Sequence, residues 1–119
     1  MNDSIEWMLE LNVKEGKGSV ALALVQEMVE TTKDSEPGTL HYGFYMSPDR
    51  SRCTVLERYA DSDAVLIHLQ NFGSKFADRF FDVFDTSRLA AFGPANDMVR
   101  DALDGMGATF DDRIAGYYR

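Results

Sequence analysis

Ile5, Trp7, Leu9, Leu11 and Val13 alternate with Glu6, Met8, Glu10 and Asn12, the period-two pattern of a strand buried mainly on one face. Residues 5–13 are therefore the first predicted strand. Lys14 to Gly18 form a turn. From Ser19, the expected N-cap, Ala21, Leu24, Val25, Met28 and Thr32 recur at three and four, while Gln26, Glu27 and Glu30 face away. The pattern predicts an amphipathic helix ending near Lys33. Glu36-Pro37-Gly38-Thr39 places Pro and Gly where a type II turn wants its central residues, with Gly38 supplying a positive φ. A hairpin should follow: Thr39–Ser47 and Arg52–Tyr59 are rich in β-favouring residues, and Pro48-Asp49 turns the chain between them. Leu40, Tyr42, Phe44 and Met46 share one face of the first arm, with His41, Gly43 and Tyr45 on the other. Cys53, Val55, Glu57 and Tyr59 share a face of the second arm.

Asp61 or Ser62 caps the next helix, whose inner stripe is Val65, His68, Phe72, Phe76, Phe80 and Val83, with a bend near Gly73. Thr86 to Phe92 reads as a fourth strand. Gly93-Pro94 opens a third helix, with Met98, Val99, Ala102 and Leu103 facing inward until Gly105 and Gly107 stop it. Ile114 to Arg119 reads as a short fifth strand. The order strand, helix, strand, strand, helix, strand, plus an added helix and strand, is a ferredoxin-like split βαβ arrangement of the α+β class: an antiparallel sheet with helices on one face. The other face is aromatic enough to want cover, so a homodimer pairing two sheets is expected.

Composition narrows the function. With 119 residues, 45% of them hydrophobic, the chain makes a single domain, with a core over 5–93 and an extension over 94–119. A net charge of −8 argues against nucleic acid and anionic membrane surfaces as partners. No apolar run approaches the roughly 20 residues of a spanning helix. One cysteine, Cys53, allows no internal disulfide, and the opening Met-Asn-Asp-Ser-Ile-Glu has no basic or apolar leader pattern. Cytoplasmic localisation is the expectation.

Few residues carry chemistry. His68 stands on an apolar helix stripe between Val65 and Phe72, and imidazole titrates near neutrality, so it is the candidate catalytic base. The plain alternative is a hydrogen-bonded core histidine. Trp7, Tyr42, Glu57, Tyr59 and Phe72 are candidates for substrate binding, each with a packing role as its alternative; Glu57 could instead orient the histidine. His41 should point away from Tyr42. Gly16-Lys17-Gly18-Ser19 lacks the spacer of a phosphate loop, and two histidines with one cysteine give no metal-ligand spacing. Neither a metal nor another cofactor is expected.

Glu36-Pro37-Gly38-Thr39-Leu40-x-Tyr42, then Glu57-x-Tyr59-x-Asp61-x-x-Ala64-x-x-x-His68, then a strand ending in Gly93-Pro94, resemble the antibiotic biosynthesis monooxygenase (ABM) domain family, most closely its quinol-monooxygenase-like members. The resemblance implies a dimeric α+β barrel. It also implies a pocket between sheet and helices where an electron-rich phenol or quinol reacts with oxygen without metal or flavin, with His68 at the family's histidine position. In the family's haem-degrading branch the iron-binding histidine would fall at Asp78, and His68 replaces that branch's tryptophan, so haem is disfavoured.

Three functions remain open: a cofactor-independent monooxygenase on a small phenolic or quinol-like molecule, an isomerase or other proton-transfer enzyme using the same histidine, and a non-catalytic small-ligand-binding domain. The enzymatic readings predict that His68 opens on a closed cavity on the order of a few hundred Å³.

Overall fold

The computed structural model describes residues 3–119. The elements are β1 (Ile5–Val13), α1 (Gly18–Ser35), β2 (Thr39–Met46), β3 (Arg52–Tyr59), α2 (Ser62–Lys75), α3 (Ala77–Val83), β4 (Phe84–Phe92), α4 (Asp97–Asp104) and β5 (Thr109–Asp111). They form the expected α+β, ferredoxin-like arrangement: one five-stranded sheet in the order β2-β3-β1-β4-β5, with four helices. Alternation in β1 buries Ile5, Trp7, Leu9 and Leu11 against the helices, and β1 pairs antiparallel with β3 on one side and β4 on the other.

Register matters most here, because residues directly opposite across an antiparallel ladder share a face. Tyr42 lies opposite Glu57, Glu57 opposite Trp7, and Trp7 opposite Ala91. This row crosses four strands on the helix-covered face. The neighbouring row is Phe44, Val55, Leu9 and Leu89, so a polar line borders an apolar one. A register shift between Thr39 and His41 pushes Leu40 out of this alternation: it is exposed and does not share the buried face with Tyr42 and Phe44.

Asp61 caps α2 by accepting a hydrogen bond from the Ala64 N–H at 2.9 Å. The stripe Val65, His68, Phe76, Phe80 and Val83 is buried, with Phe72 half-buried. The bend expected near Gly73 falls instead at Phe76, whose φ of −128° separates α2 from α3. α1 begins at Gly18 rather than after Ser19, with no side-chain cap, and β4 starts two residues early because α3 runs straight into it.

The turn at residues 36–39 is present, closed by the Thr39 N–H donating to the Glu36 carbonyl at 3.0 Å, but Gly38 does not have a positive φ. Its role is space: a Cβ there would lie 2.7 Å from the Ala64 Cβ. The extension departs from expectation twice. α4 starts at Asp97, capped by Asn96, and only Val99 and Leu103 are buried on it, while Met98 and Ala102 are exposed. The last strand is Thr109–Asp111, parallel to β4, and residues 114–119 form none. Gly116, at φ +145°, interrupts that segment, and Tyr118 instead lies under the Arg58 guanidinium, 3.5 Å from it. No helix among the described residues is long and apolar enough to cross a membrane.

Candidate active site

His68 projects from α2 toward the row of Tyr42, Glu57 and Trp7, and both of its ring nitrogens meet carboxylates. Nδ1 lies 2.8 Å from Oε1 of Glu36, and Nε2 lies 3.4 Å from Oε1 of Glu57. All three side chains are buried. Glu36 is reached because α1 ends at Ser35 and the tight turn fixes its carboxylate over the last part of α2. There Asn71 donates to Oε2 at 3.1 Å and the Thr39 hydroxyl to Oε1 at 2.9 Å. Glu57 is held from the sheet side, where the Trp7 indole N–H donates to Oε2 and the Tyr59 hydroxyl makes a short hydrogen bond to Oε1.

The two carboxylates are poised differently. Burial works against the Glu36 charge, but hydrogen bonds and charge from His68, with those from Asn71 and Thr39, outweigh it and hold the carboxyl below its ordinary range. An ionised Glu36 can only accept, so the His68 proton sits on Nδ1 and Nε2 faces Glu57. Burial dominates at Glu57 and raises its pKa, although His68, Tyr59 and Trp7 pull the other way. Burial and the neighbouring carboxylates also raise the pKa values of Tyr42 and Tyr59, so both phenols keep their protons.

A cavity of about 60 Å³ adjoins this cluster. Trp7, Tyr42, Glu57, His68 and Phe72 line it, among the apolar side chains of Leu9, Val55, Leu89 and others. Tyr59 does not. It is wholly buried behind Glu57, its ring 4.7 Å from Trp7 and 5.2 Å from His68. The volume falls short of the few hundred Å³ expected, because Leu69, Phe72 and Met106, all half-buried, close in on the space. The Tyr42 hydroxyl makes no hydrogen bond to the described residues, and the ring stands edge-on to His68 at 5.1 Å. His41 is exposed on the other side of β2, Cys53 is buried with its thiol pKa pushed up to about 11 by that burial, and Asp78 is exposed on α3. Among the described residues no cluster of His, Cys, Asp and Glu is arranged to hold a metal ion.

Sequence pattern missed Glu36 as a site residue. No local signal marked it: Glu36 heads a turn with Lys33 three residues before it, and its contacts with His68 and Asn71 are made across 32 and 35 residues of sequence. Leu103 and Met106, which also line the cavity, were missed as well.

A family model for antibiotic biosynthesis monooxygenases matches residues 5–82. The chain belongs to that family. No curated protein sequence matches it. Among solved structures, MupZ from Pseudomonas fluorescens is 26% identical, covers 100% of this chain and 91% of its own, and superposes with a TM-score of 0.88. SnoaB from Streptomyces nogalater, a cofactor-independent oxygenase, is 14% identical with a TM-score of 0.66, covering 79% of this chain and 95% of its own. A proposed antibiotic biosynthesis monooxygenase from Caulobacter crescentus CB15 is 21% identical with a TM-score of 0.67, covering 80% and 92%. These last two likenesses are of fold.

Proposed function

We propose that the protein is a cofactor-independent monooxygenase acting on a small phenolic or quinol-type substrate, working in the cytoplasm as a homodimer. The observation that carries the reading is the buried relay Glu36–His68–Glu57 bordering an apolar cavity. Family membership supports the reaction class. Exposed Tyr45 and Phe92 on strands β2 and β4 support pairing through the sheet.

The chemistry starts with a proton. A phenol becomes a good electron donor to O₂ only as its anion, so the site has to take a proton and keep the anion dry. Neutral His68, with Nδ1–H held by Glu36, offers the Nε2 lone pair. The imidazolium formed on proton transfer then lies between Glu36 and Glu57, which stabilise its charge. Tyr42 has a free hydroxyl with which to hold the substrate oxygen. Phe72 and the aliphatic wall exclude water from the anion. Oxygen-electrode measurements with a reactive hydroquinone test this: the wild type should consume O₂, and His68→Ala should lose about 10²–10⁴-fold in rate with its fold intact. Wild-type rates in that variant would end the assignment.

A second reading has an observation of its own. Burial raises the pKa of Glu57, which faces the His68 imidazole at 3.4 Å, so a proton donor and a proton acceptor adjoin each other as an isomerase or other proton-transfer enzyme requires. Turnover that persists without oxygen would select this reading over the first.

A further inference from the structure

Three side chains of the cavity wall lie beyond the family match, which ends at residue 82: Leu89 on β4 and, in the C-terminal extension, Leu103 at the end of α4 and Met106 in the loop after it. The last two set the new part of the wall. Their placement relative to His68 is fixed. The Asn96 N–H donates to the hydroxyl of Ser62, the first residue of α2, at 3.0 Å, and Arg100 Nε donates to the Ala95 carbonyl at 3.0 Å. The loop backbone is held too, by the Met106 N–H on the Leu103 carbonyl at 3.0 Å and the Gly107 N–H on the Asp104 carbonyl at 2.9 Å. Leu103 is 1% exposed and anchored. Met106 is half-buried, so the adaptable part of this wall is its thioether side chain, with three rotatable bonds.

The charge of the wall is as informative as its shape. No Lys or Arg lines the cavity, and the titratable side chains on it or directly behind it are Glu57, Glu36, His68, Tyr42 and Tyr59. An anionic ligand would be desolvated beside a buried carboxylate, with no counter-charge beyond the proton that His68 can take up. The cavity as it stands has room for about two waters, so any organic ligand gains its space by displacing the half-buried rim.

We infer that the site takes an uncharged phenol with an apolar substituent, its hydroxyl at His68 and Glu57, and that Met106, backed by Leu103, sets how long that substituent can be. This rests on the phenolic reading given above and extends it to the charge and length of the substrate. Met106 acts here as a specificity determinant and takes no part in the chemistry.

Binding can be followed without turnover, because Trp7, the chain's one tryptophan, lies on the cavity wall. Quenching of its fluorescence by a series of 4-alkylphenols, with 4-hydroxybenzoate as the anionic member, reads affinity directly. The wild type should favour short alkyl groups and bind the benzoate at least about tenfold more weakly. Met106→Ala should shift the preference toward longer chains by about tenfold, and Met106→Leu, which keeps the volume, should leave it in place. An unshifted chain-length profile in Met106→Ala, benzoate binding as tight as that of the neutral phenols, or no saturable quenching by any member would overturn the inference. A shifted profile without oxygen consumption would instead strike the monooxygenase reading and leave this one standing.

Discussion

His68 Nδ1 sits 2.8 Å from Oε1 of Glu36, a residue 32 positions earlier that opens the connection from α1 into β2. Because the lowered pKa of Glu36 keeps it an acceptor, the hydrogen bond puts the His68 proton on Nδ1 and leaves Nε2 toward Glu57. Replacing Glu36 with Gln keeps the shape but removes the charge that supports an imidazolium. Glu36→Gln should lower turnover about 10²-fold or more. Steady-state rates check this, and wild-type turnover in the variant would reduce Glu36 to a structural partner.

Glu57 makes the stability of the fold depend on pH with a definite sign. Burial raises its pKa on folding, so the folded chain holds this proton more tightly than the unfolded one. That stabilisation is complete below the ordinary carboxylate range and is lost as the pH climbs through the raised value. Glu36 works the other way: its lowered pKa gives a contribution that is present above the ordinary range and lost as the pH falls. Glu57→Gln removes the first effect alone. Urea unfolding between about pH 5 and about pH 8 should show a shallower decline for the variant than for the wild type. Parallel curves would mean that Glu57 is ionised in the folded state throughout.

Tyr59 lies behind the cavity, and its hydroxyl is a donor to Glu57. Tyr59→Phe leaves the ring packing against Trp7 and takes one donor from a buried carboxyl. The expected cost is about 1–3 kcal/mol by urea unfolding. Because the lost donor had favoured the charged carboxylate, the decline of stability with pH should extend to higher pH than in the wild type. A loss of stability with no change in that dependence would place the hydroxyl's role outside the relay.

The strands β1, β2 and β3 followed from their alternation, and the position of His68 on the inner face of α2 followed from the stripe it shares with Val65 and Phe72. What pattern did not disclose were relationships made by tertiary contact. Glu36 reads as turn chemistry until α2 is laid across it, because nothing local distinguishes a buried glutamate at a turn from an exposed one. Leu40 fits the alternation of β2 and leaves it through a register shift that a single strand does not encode. Met98 and Ala102 fit an inward stripe by spacing, but α4 meets the core only along Val99 and Leu103 and leaves them exposed. The apolar look of residues 114–119 suggested a strand, but the edge beside β4 is taken by residues 109–111 instead.

Gly38 ties that hidden geometry to a measurable number. Its carbonyl accepts from the Ala60 N–H at 2.9 Å, and the absent Cβ lets β2 pass the first turn of α2 with the Ala64 Cβ only 2.7 Å from where one would stand. Both atoms are short and rigidly attached, so Gly38→Ala has to push the two segments apart rather than rotate a side chain. The segments are the ones carrying Glu36 and His68. The substitution should therefore cost about 1–3 kcal/mol and lower turnover as well. Ala64→Gly makes the missing room at a cost of about 1 kcal/mol for glycine in a helix, so the double variant should recover part of both losses. The two substitutions should then couple by about 0.5–3 kcal/mol in a double-mutant cycle, and additive effects would show that Gly38 is needed for some other reason than this approach.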